Sequence, residues 1–430
     1  MELRELRFHH RPDDPWSHLL LQILPRLVAV YDVTLRCITV PLPPPEYFPR
    51  PDLVARHALR DAQDLARHYA LEFQGNAQQP REALTELASR RLLCVEHNAL
   101  EYVTLAQRLG DALFAGDEAR VKALSEGAMP EREAKSMLAS NQRRQIQSGH
   151  YNSAMISFGN NWYWGLDRLP HLEHDLLGAG RRRPNACVGV LSKRPAHEVI
   201  DGSASVDRAL PWSLPIEIDF FCSFRSPYAY LAARRCFDLQ HRYPVHIRPR
   251  LILPMKMAGF TIPELKAAYF RVDPAREALR HGIRFGNFCD PFGKGLERAM
   301  ALVEPAREAG QLEPYLLSVM QGVWADGIDT ATDAGLSTLV ERANLDWTAM
   351  RPHLEDESWR VWATDNRNEL ERLGQYAAPT WRLGDWVTWG QDRLWMIERE
   401  IAARMTKRCA HLADKGHQSQ ADAFLQPPPI

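Results

Sequence analysis

The feature that most constrains this chain is a long-range internal repeat. Residues 159–173 and 384–398 align without a gap, and Gly, Trp, Gly, Asp, Arg, Leu and Glu recur in them at the same spacing. A second pair of similar segments, residues 8–19 and 220–231, lies upstream. A solenoid module repeats every 20–50 residues or so, which is roughly the length of one supersecondary unit and far less than this repeat. The sequence therefore predicts a tandem duplication of a whole domain.

Length and charge agree with two soluble domains. The 430 residues suit two domains of roughly 100–200 residues each. Lys and Arg number 53 against 54 Asp and Glu, so there is no overall positive charge to hold nucleic acid or an anionic membrane. No apolar run approaches the roughly 18 residues that a membrane helix needs, and the N-terminus has no apolar leader. We therefore expect a cytoplasmic protein with no nucleic-acid or membrane partner.

The cysteines predict neither a disulfide framework nor a metal site. An odd number of them is scattered along the chain, without a CxxC motif or a metal-ligand spacing. Such a set is typical of reduced thiols in the cytosol. His9, His10 and Asp13 lie close together in the sequence, but nothing fixes their geometry. We interpret these three as flexible loop residues and predict no metal.

Both halves show the same order of predicted elements. A strand at Leu3–Phe8 precedes a helix that Pro15 opens and that runs to about Val30. A strand at Ile216–Phe221 precedes a helix that Pro227 opens and that runs to about His241. Proline is tolerated at the first helical position because its missing N–H would have no partner there anyway. Further predicted helices occupy residues 51–148 as one long region, and residues 273–284, 294–308, 312–325, 334–343 and 359–373. A hairpin and a final helix close each half.

This order describes an α/β fold: two tandem thioredoxin-like domains, each with a helical insertion. We place the first domain at residues 1–180 and the second at 214–412. The Pro- and Gly-containing stretch 181–213 is predicted to be a linker. The polar tail, residues 413–430, is predicted to be disordered, because it lacks the apolar residues that a packed core needs.

Ser226 is the first candidate for chemistry, because it lies between a predicted strand and a predicted helix start. A helix N-terminus presents unpaired N–H groups and a partial positive charge, so it stabilises an anion beside it. A thiolate held there has its pKa lowered. The serine hydroxyl cannot replace that thiolate but can donate a hydrogen bond to one. An ordinary helix cap is the alternative interpretation.

The segment around this serine resembles a known family. Residues 226–231 read Ser-Pro-Tyr-Ala-Tyr-Leu, which is similar to the active-site segment of 2-hydroxychromene-2-carboxylate isomerases and kappa-class glutathione transferases, both DsbA-like thioredoxin-fold proteins. The resemblance continues in the same order through residues 323–328, 378–380 and 389–394, and covers about 215–403. It implies a glutathione-dependent isomerase or transferase acting on an electrophilic, aromatic or unsaturated small molecule.

The resemblance also implies roles for single residues. Ser226 would hold the thiolate of glutathione. Gln391 and Asp392 would bind the γ-glutamyl end, where a carboxylate can answer the ammonium group. Pro379 matches the family's cis-proline, and the backbone of Ala378 before it would pair with the peptide-like ligand.

Two further roles follow from the same resemblance. Asp273 occupies the place of a family aspartate near the ligand. Lys256 matches a basic residue that contacts the glycyl carboxylate. This chain departs from the family in the loop after that lysine, where residues 259–263 read Gly-Phe-Thr-Ile-Pro in place of an Asn-Lys-Pro-Pro-like sequence.

The first half has lost the residues of this site. Asp14 stands where Ser226 stands, and Ala154 stands where the second half has proline. Leu166 stands where the second half has Gln391, although Asp167 keeps the place of Asp392. An acid at Asp14 would repel a thiolate. We therefore predict a degenerate copy that keeps the fold without the site and that serves as a built-in partner, an intramolecular pseudo-dimer, since members of the family pair as homodimers.

Two alternatives stay open. A non-catalytic binding or scaffold protein would explain the degenerate first half, because resemblance of fold alone does not secure function. A DsbA-like thiol-disulfide oxidoreductase is less favoured, since Ser226 and Ala229 replace the two cysteines that exchange through a mixed disulfide uses. Cys222, inside the strand, is interpreted as a small buried hydrophobe.

Overall fold

The computed structural model describes residues 4–73, 79–187, 189–190 and 215–414. By contacts the chain divides into two compact units, one of Met1–Pro195 with Thr261–Tyr269 and the other of Ala196–Phe260 with Phe270–Ile430. Most of the predicted linker, and the predicted tail from residue 415 onward, lie outside the described residues. Over the described residues, no helix is both long and apolar enough to cross a membrane.

The first unit consists of a small sheet and a large helical region. Its strands are β1 (Glu5–His10), β2 (Thr34–Thr39), β3 (Met155–Phe158) and β4 (Asn161–Trp164). Its helices are α1 (Pro15–Leu21), α2 (Leu24–Val30), α3 (Pro51–Tyr69), α4 (Glu82–Leu93), α5 (Ala99–Ala115), α6 (Glu118–Leu124), α7 (Glu131–Gln147) and α8 (Leu169–Gly178). The helices α3 to α7 form an insertion between β2 and β3.

The second unit has the same arrangement of elements. Its strands are β5 (Ile216–Cys222), β6 (Val245–Leu251), β7 (Thr380–Leu383) and β8 (Trp386–Trp389). Its helices are α9 (Pro227–Phe237), α10 (Leu239–Arg242), α11 (Glu264–Arg280), α12 (Lys294–Ala301), α13 (Val303–Glu308), α14 (Leu312–Gln321), α15 (Asp333–Arg342), α16 (Trp347–Met350), α17 (Trp359–Arg372) and α18 (Leu394–Asp414). The first residues of α11 group with the first unit.

Each unit contains a four-stranded sheet, with strand orders β2-β1-β3-β4 and β6-β5-β7-β8. In the first sheet β1 pairs in parallel with β2 and antiparallel with β3, and in the second β5 pairs in parallel with β6 and antiparallel with β7. The last two strands of each sheet form an antiparallel hairpin. The predicted α/β class, with a helical insertion inside each sheet, is confirmed. Because β1 and β5 lie inside their sheets, the residues that follow them enter the unit near its centre.

The core of the second unit is built on β5. Phe220 is fully buried, lies opposite Trp381 of β7 in the sheet, and stacks on that ring at 5.8 Å. Phe237 of α9 meets Phe220 edge-on at 6.2 Å. Burying a large apolar side chain contributes about 1.5–3 kcal/mol, so these rings fix the position of α9 on the sheet. Cys222 is buried in the same core, as predicted, and burial raises the pKa of its thiol.

The predicted start of one helix is wrong. We placed a helix at residues 273–284, whereas α11 runs from Glu264 to Arg280 and contains Pro274 in its interior. Proline usually marks a helix start because it removes one backbone hydrogen bond. Here the turn after Pro274 is held by burial of Ala278 and by the hydrogen bond that Gln391 donates to Glu277, and the helix continues through the proline. Asp273 therefore lies in the middle of a helix and not at its first turn.

A second difference concerns the helix that Pro15 opens. Its predicted course to Val30 is divided into α1 and α2 at Gln22 and Ile23. The N–H groups of these two residues bond to carbonyls three positions back, as in a tight last turn. Pro25 then lies in the first turn of α2, where its missing N–H has no cost.

The interpretation of His9 and His10 as flexible loop residues is wrong. Both belong to β1 and are buried, because the strand extends past the apolar residues that mark it in the sequence. His10 Nδ1 lies 3.0 Å from the hydroxyl of Tyr102. Among the described residues, no group of three His, Cys, Asp or Glu side chains is placed to hold a metal ion.

The beginning of the predicted linker is tied to the first unit. The Arg181 carbonyl accepts a hydrogen bond of 2.6 Å from the Asp32 amide, and the Arg183 amide donates to the Val30 carbonyl at 2.9 Å. These contacts extend the end of the first unit beyond the boundary that the sequence predicts at residue 180.

Candidate functional site

Ser226 forms the N-cap of α9, directly after the loop that leaves β5. Its backbone is extended, and its Oγ accepts a hydrogen bond of 3.1 Å from the amide of Ala229. The same Oγ donates to the carbonyl of Ala378 at 3.2 Å. Pro227 at the first helical position lets the helix begin at once. Capping is therefore confirmed, and the hydroxyl proton points away from the helix.

The peptide bond between Ala378 and Pro379 is cis, as the resemblance implies. Pro379 accepts a hydrogen bond of 3.0 Å at its carbonyl from the amide of Gly390, across the hairpin of β7 and β8. The carbonyl of Ala378 faces Ser226. The structure thus brings together the predicted thiolate-binding hydroxyl and the predicted backbone edge.

Gln391 and Asp392 lie in a short helical turn between β8 and α18, and both are buried. The Gln391 side chain uses both of its polar atoms. Its Oε1 accepts from Arg235 at 2.9 Å, while its Nε2 donates to Glu277 at 2.7 Å and to Asp392 at 2.5 Å. Gln391 therefore holds protein groups, and the Asp392 carboxylate belongs to the same buried cluster.

Asp273 is buried on α11 and accepts two hydrogen bonds. The hydroxyl of Tyr228 donates to it at 2.8 Å, and the guanidinium of Arg276 at 3.3 Å. Residues four apart share one face of a helix, so Asp273 and Glu277 lie on the same face of α11. Tyr228 is two residues after the N-cap of α9, and Glu277 binds the glutamine described above. The same face of α11 thus contacts α9 through Asp273 and Tyr228, and the turn before α18 through Glu277 and Gln391.

Lys256 is exposed and joins a second group beside Ser226. Its ammonium lies 4.6 Å from the ring centre of Phe292, and the guanidinium of Arg225 lies 5.3 Å from the same ring. Arg225 also makes two hydrogen bonds of 2.7 Å to the carboxylate of Asp290. Lys256, in the loop after β6, therefore lies close to Arg225, which directly precedes Ser226.

Two pKa shifts describe the charges of these groups. Partial burial opposes ionisation of Asp290, but the hydrogen bonds and charge of Arg225 outweigh it and lower the pKa of that carboxyl group. Burial lowers the pKa of His281, one turn after Glu277 and just past the end of α11, to about 4. Its imidazole is therefore neutral at pH 7, while Asp290 is ionised.

Sequence reasoning missed several members of the site. Glu277 and Arg235 lie outside the sequence motifs, and only the fold brings them to Gln391. Arg225 and Asp290 were missed as well. The position of Arg225 directly before Ser226 is the one local signal that could have drawn attention to it.

In the first unit, Asp14 is the N-cap of α1 and is buried. Its carboxylate accepts from the amide of Trp16 at 3.1 Å and from the hydroxyls of Ser17 and Ser153 at 2.8 and 2.7 Å. Burial raises the pKa of Asp14, although these bonds and a neighbouring arginine oppose the shift. Ala154, which stands where the second unit has its cis-proline, donates its amide to Ser17 at 2.9 Å. An acidic side chain held by its own unit thus stands where Ser226 stands in the second.

The fold and these residues define a DsbA-like thioredoxin domain in the second half of the chain. Residues 217–402 match the family model described as a DSBA-like thioredoxin domain. The resemblance that the sequence motifs indicate is therefore confirmed for this part of the chain.

Among known proteins the chain is similar to 2-hydroxychromene-2-carboxylate isomerases. That of Pseudomonas putida is 28% identical over 210 residues, which cover 46% of this chain and 98% of the relative. That of Sphingobium xenophagum is 26% identical over 191 residues, covering 42% of this chain and 95% of the relative. Each relative is thus matched almost over its whole length by less than half of this chain.

Solved structures give related matches. A 2-hydroxychromene-2-carboxylate isomerase is 25% identical with a TM-score of 0.39, covering 46% of this chain and 99% of that chain. The cytosolic disulfide reductase DsbM from Pseudomonas aeruginosa, solved with GSH, is 18% identical with a TM-score of 0.34, covering 44% of this chain and 99% of that chain.

Proposed function

We propose that the second unit is a glutathione-dependent isomerase of the 2-hydroxychromene-2-carboxylate isomerase kind, acting on an electrophilic aromatic or unsaturated small molecule. The observation that carries the proposal is the Ser226 hydroxyl, which caps α9 and reaches the carbonyl before Pro379. The names of the similar curated proteins support isomerisation over other reactions of such a site.

The N-terminus of α9 suits a sulfur anion. Free N–H groups and the helix dipole favour a negative charge there. The Ser226 hydroxyl can rotate away from Ala378 and donate to an anion instead, because its proton is not fixed by the cap, which uses only the oxygen lone pair. Preorganised donors of this kind stabilise charge without paying for reorganisation.

The other ends of glutathione also find partners of suitable chemistry. Asp392 offers a carboxylate to the ammonium of the γ-glutamyl group, and a charged hydrogen bond of that kind is strong. Lys256 is exposed and cationic, which suits the glycyl carboxylate. The backbone of Ala378 can pair with the cysteinyl peptide unit. Glutathione would supply the thiolate that adds to an electrophilic carbon and leaves again after the double bond has rearranged.

A transferase would use the same binding residues but release the conjugate. Product analysis separates the two: an isomerase returns all glutathione after turnover, whereas a transferase consumes one molecule for each substrate. Ser226 and Ala229 in the two cysteine positions of DsbA-like oxidoreductases disfavour disulfide exchange.

We further infer that the two units arose by tandem duplication and that the first has lost the glutathione site. The identical strand order of the two sheets supports the duplication, together with the repeated segments at 159–173 and 384–398. The buried carboxylate of Asp14 supports the loss, because an anion at that place opposes a thiolate.

Calorimetric titration of reduced glutathione into the wild-type protein tests the proposal, with Ser226→Ala and Ser337→Ala as variants. Ser337 bonds its own helix on α15 and serves as the matched serine control. We expect the wild type and the control to bind glutathione alike and to form the thiolate, which ultraviolet absorbance detects. Ser226→Ala should bind glutathione without forming the thiolate. Absence of binding in the wild type at millimolar glutathione would refute the assignment.

A further inference from the structure

Glu277 is a buried carboxylate to which no role has been given. It lies on α11 with no exposed surface, and its Oε2 accepts a hydrogen bond of 2.7 Å from Gln391 Nε2. Burying a carboxylate is costly unless hydrogen bonds compensate for the lost water. The buried Glu277 carboxylate therefore depends on its protein partners, of which Gln391 is one.

The side-chain amide of Gln391 links Glu277 to Asp392 by hydrogen bonds. An amide nitrogen has two hydrogens, and here one goes to Glu277 and the other to Asp392. The amide oxygen accepts from Arg235. Turning the amide over would place its oxygen against two carboxylates and its NH₂ group against a guanidinium, so the observed orientation is strongly preferred.

The surroundings add to this effect. Glu277 and Asp392 both approach one nitrogen, so two negative charges lie close together beside the cation of Arg235. His281, whose imidazole Nε2 lies 3.8 Å from the Glu277 carboxylate, is neutral at pH 7. Asp392 keeps 8% of its surface exposed, whereas Glu277 keeps none. Of the two carboxylates, Asp392 is therefore the less deeply buried, and Glu277 lies behind it.

We propose that Glu277 is a positioning residue that sets the affinity of the site for the amino group of its ligand. It acts through Gln391, which holds the Asp392 carboxylate in place, and it adds negative potential where an ammonium group docks. This inference rests on the proposed function, because glutathione is the ligand whose α-amino group would meet Asp392. Glu277 itself does not touch the ligand.

A cycle of two proteins and two ligands tests the proposal. Glu277→Gln keeps an acceptor for Gln391 but removes the charge, and glutaryl-cysteinyl-glycine is glutathione without its α-amino group. Calorimetry should show glutathione binding weakened about tenfold in Glu277→Gln, and binding of the amine-free analogue unchanged. In turnover, KM for glutathione should rise by the same factor while kcat stays constant. Glu264→Gln, at the exposed start of the same helix, is the matched control.

Each other outcome contradicts the inference. If Glu277→Gln weakens both ligands equally, Glu277 acts through the general structure of the site and not through the amino group. If it weakens neither, the residue has no part in binding. In both cases wild-type binding of glutathione would leave the proposed function standing. Failure of the wild type to bind glutathione would refute both the proposed function and this inference.

Discussion

The Oγ atom of Ser226 lies 3.2 Å from the carbonyl oxygen of Ala378, although 152 positions separate the two residues in the sequence. The contact joins the first turn of α9 to the backbone that enters β7. Ser226, the cap of α9, and Ala378, the residue before Pro379, are therefore neighbours in the fold. The proposed chemistry depends on this juxtaposition, because a hydroxyl donor and a peptide acceptor can then meet the same ligand.

The bond between Tyr228 and Asp273 should contribute to stability. Removing the hydroxyl in Tyr228→Phe leaves a buried carboxylate with one donor fewer, which costs about 1–3 kcal/mol. Urea denaturation monitored by tryptophan fluorescence would measure the loss. Tyr230→Phe is the control on the same helix, since its hydroxyl donates to the carbonyl of the exposed Arg284. Water can replace that partner, so equal losses in the two variants would contradict the account.

The first unit should be sensitive to acid because of His9. Burial, aided by the charge of Arg7, lowers the pKa of His9 to about 3. The unfolded chain binds a proton below about pH 6.5, while the folded strand stays neutral, so stability is full above that pH and falls toward pH 3. The expected slope is about 1.4 kcal/mol per pH unit for one such histidine.

His9→Phe tests this slope, since the second unit has Phe221 at the equivalent place of β5. Urea denaturation between pH 7 and pH 4 should show a shallower loss of stability in His9→Phe than in the wild type. His353→Phe, at an exposed position, should keep the wild-type slope. The interpretation fails if the loss of stability with acid is the same in all three proteins.

Asp14 should be a structural residue. Asp14→Ala removes the cap of α1 and the acceptor of two serine hydroxyls, so we expect a loss of about 2–4 kcal/mol. Asp117 caps α6 through one exposed hydrogen bond, and Asp117→Ala should lose only about 1 kcal/mol. Thermal and urea unfolding of both variants measure the difference. A loss from Asp14→Ala no larger than that from Asp117→Ala would show that the buried bonds contribute little.

Those parts of the site that have a local pattern could be predicted from the sequence. The cap at Ser226 follows from its place before a proline at a helix start, whereas the cis bond before Pro379 follows only from the family resemblance, and both are present. Glu277 could not be found in this way, because its partner Gln391 lies 114 positions further along the chain. No local rule indicates that α11 will face the last turn of the domain.

The errors in the predicted fold have physical causes. The start of α11 was placed too late because Pro274 is a strong breaker in the sequence, and packing of the following turn outweighs the loss of one hydrogen bond. The sequence assigns His9 and His10 to a loop because nothing in it fixes their geometry, and polar side chains are seldom fully buried. In both cases tertiary packing decides against the local preference.

The measurement that tests the central claim most directly is the pKa of the glutathione thiol when it is bound to the protein. A pH titration of thiolate absorbance at saturating protein would give it for the wild type and for Ser226→Ala. The account predicts a bound thiol well below the value of about 8.5 for a free cysteine, and a return toward that value in the variant. A bound thiol that titrates like free glutathione, or the same lowered pKa in both proteins, would contradict the assignment of Ser226.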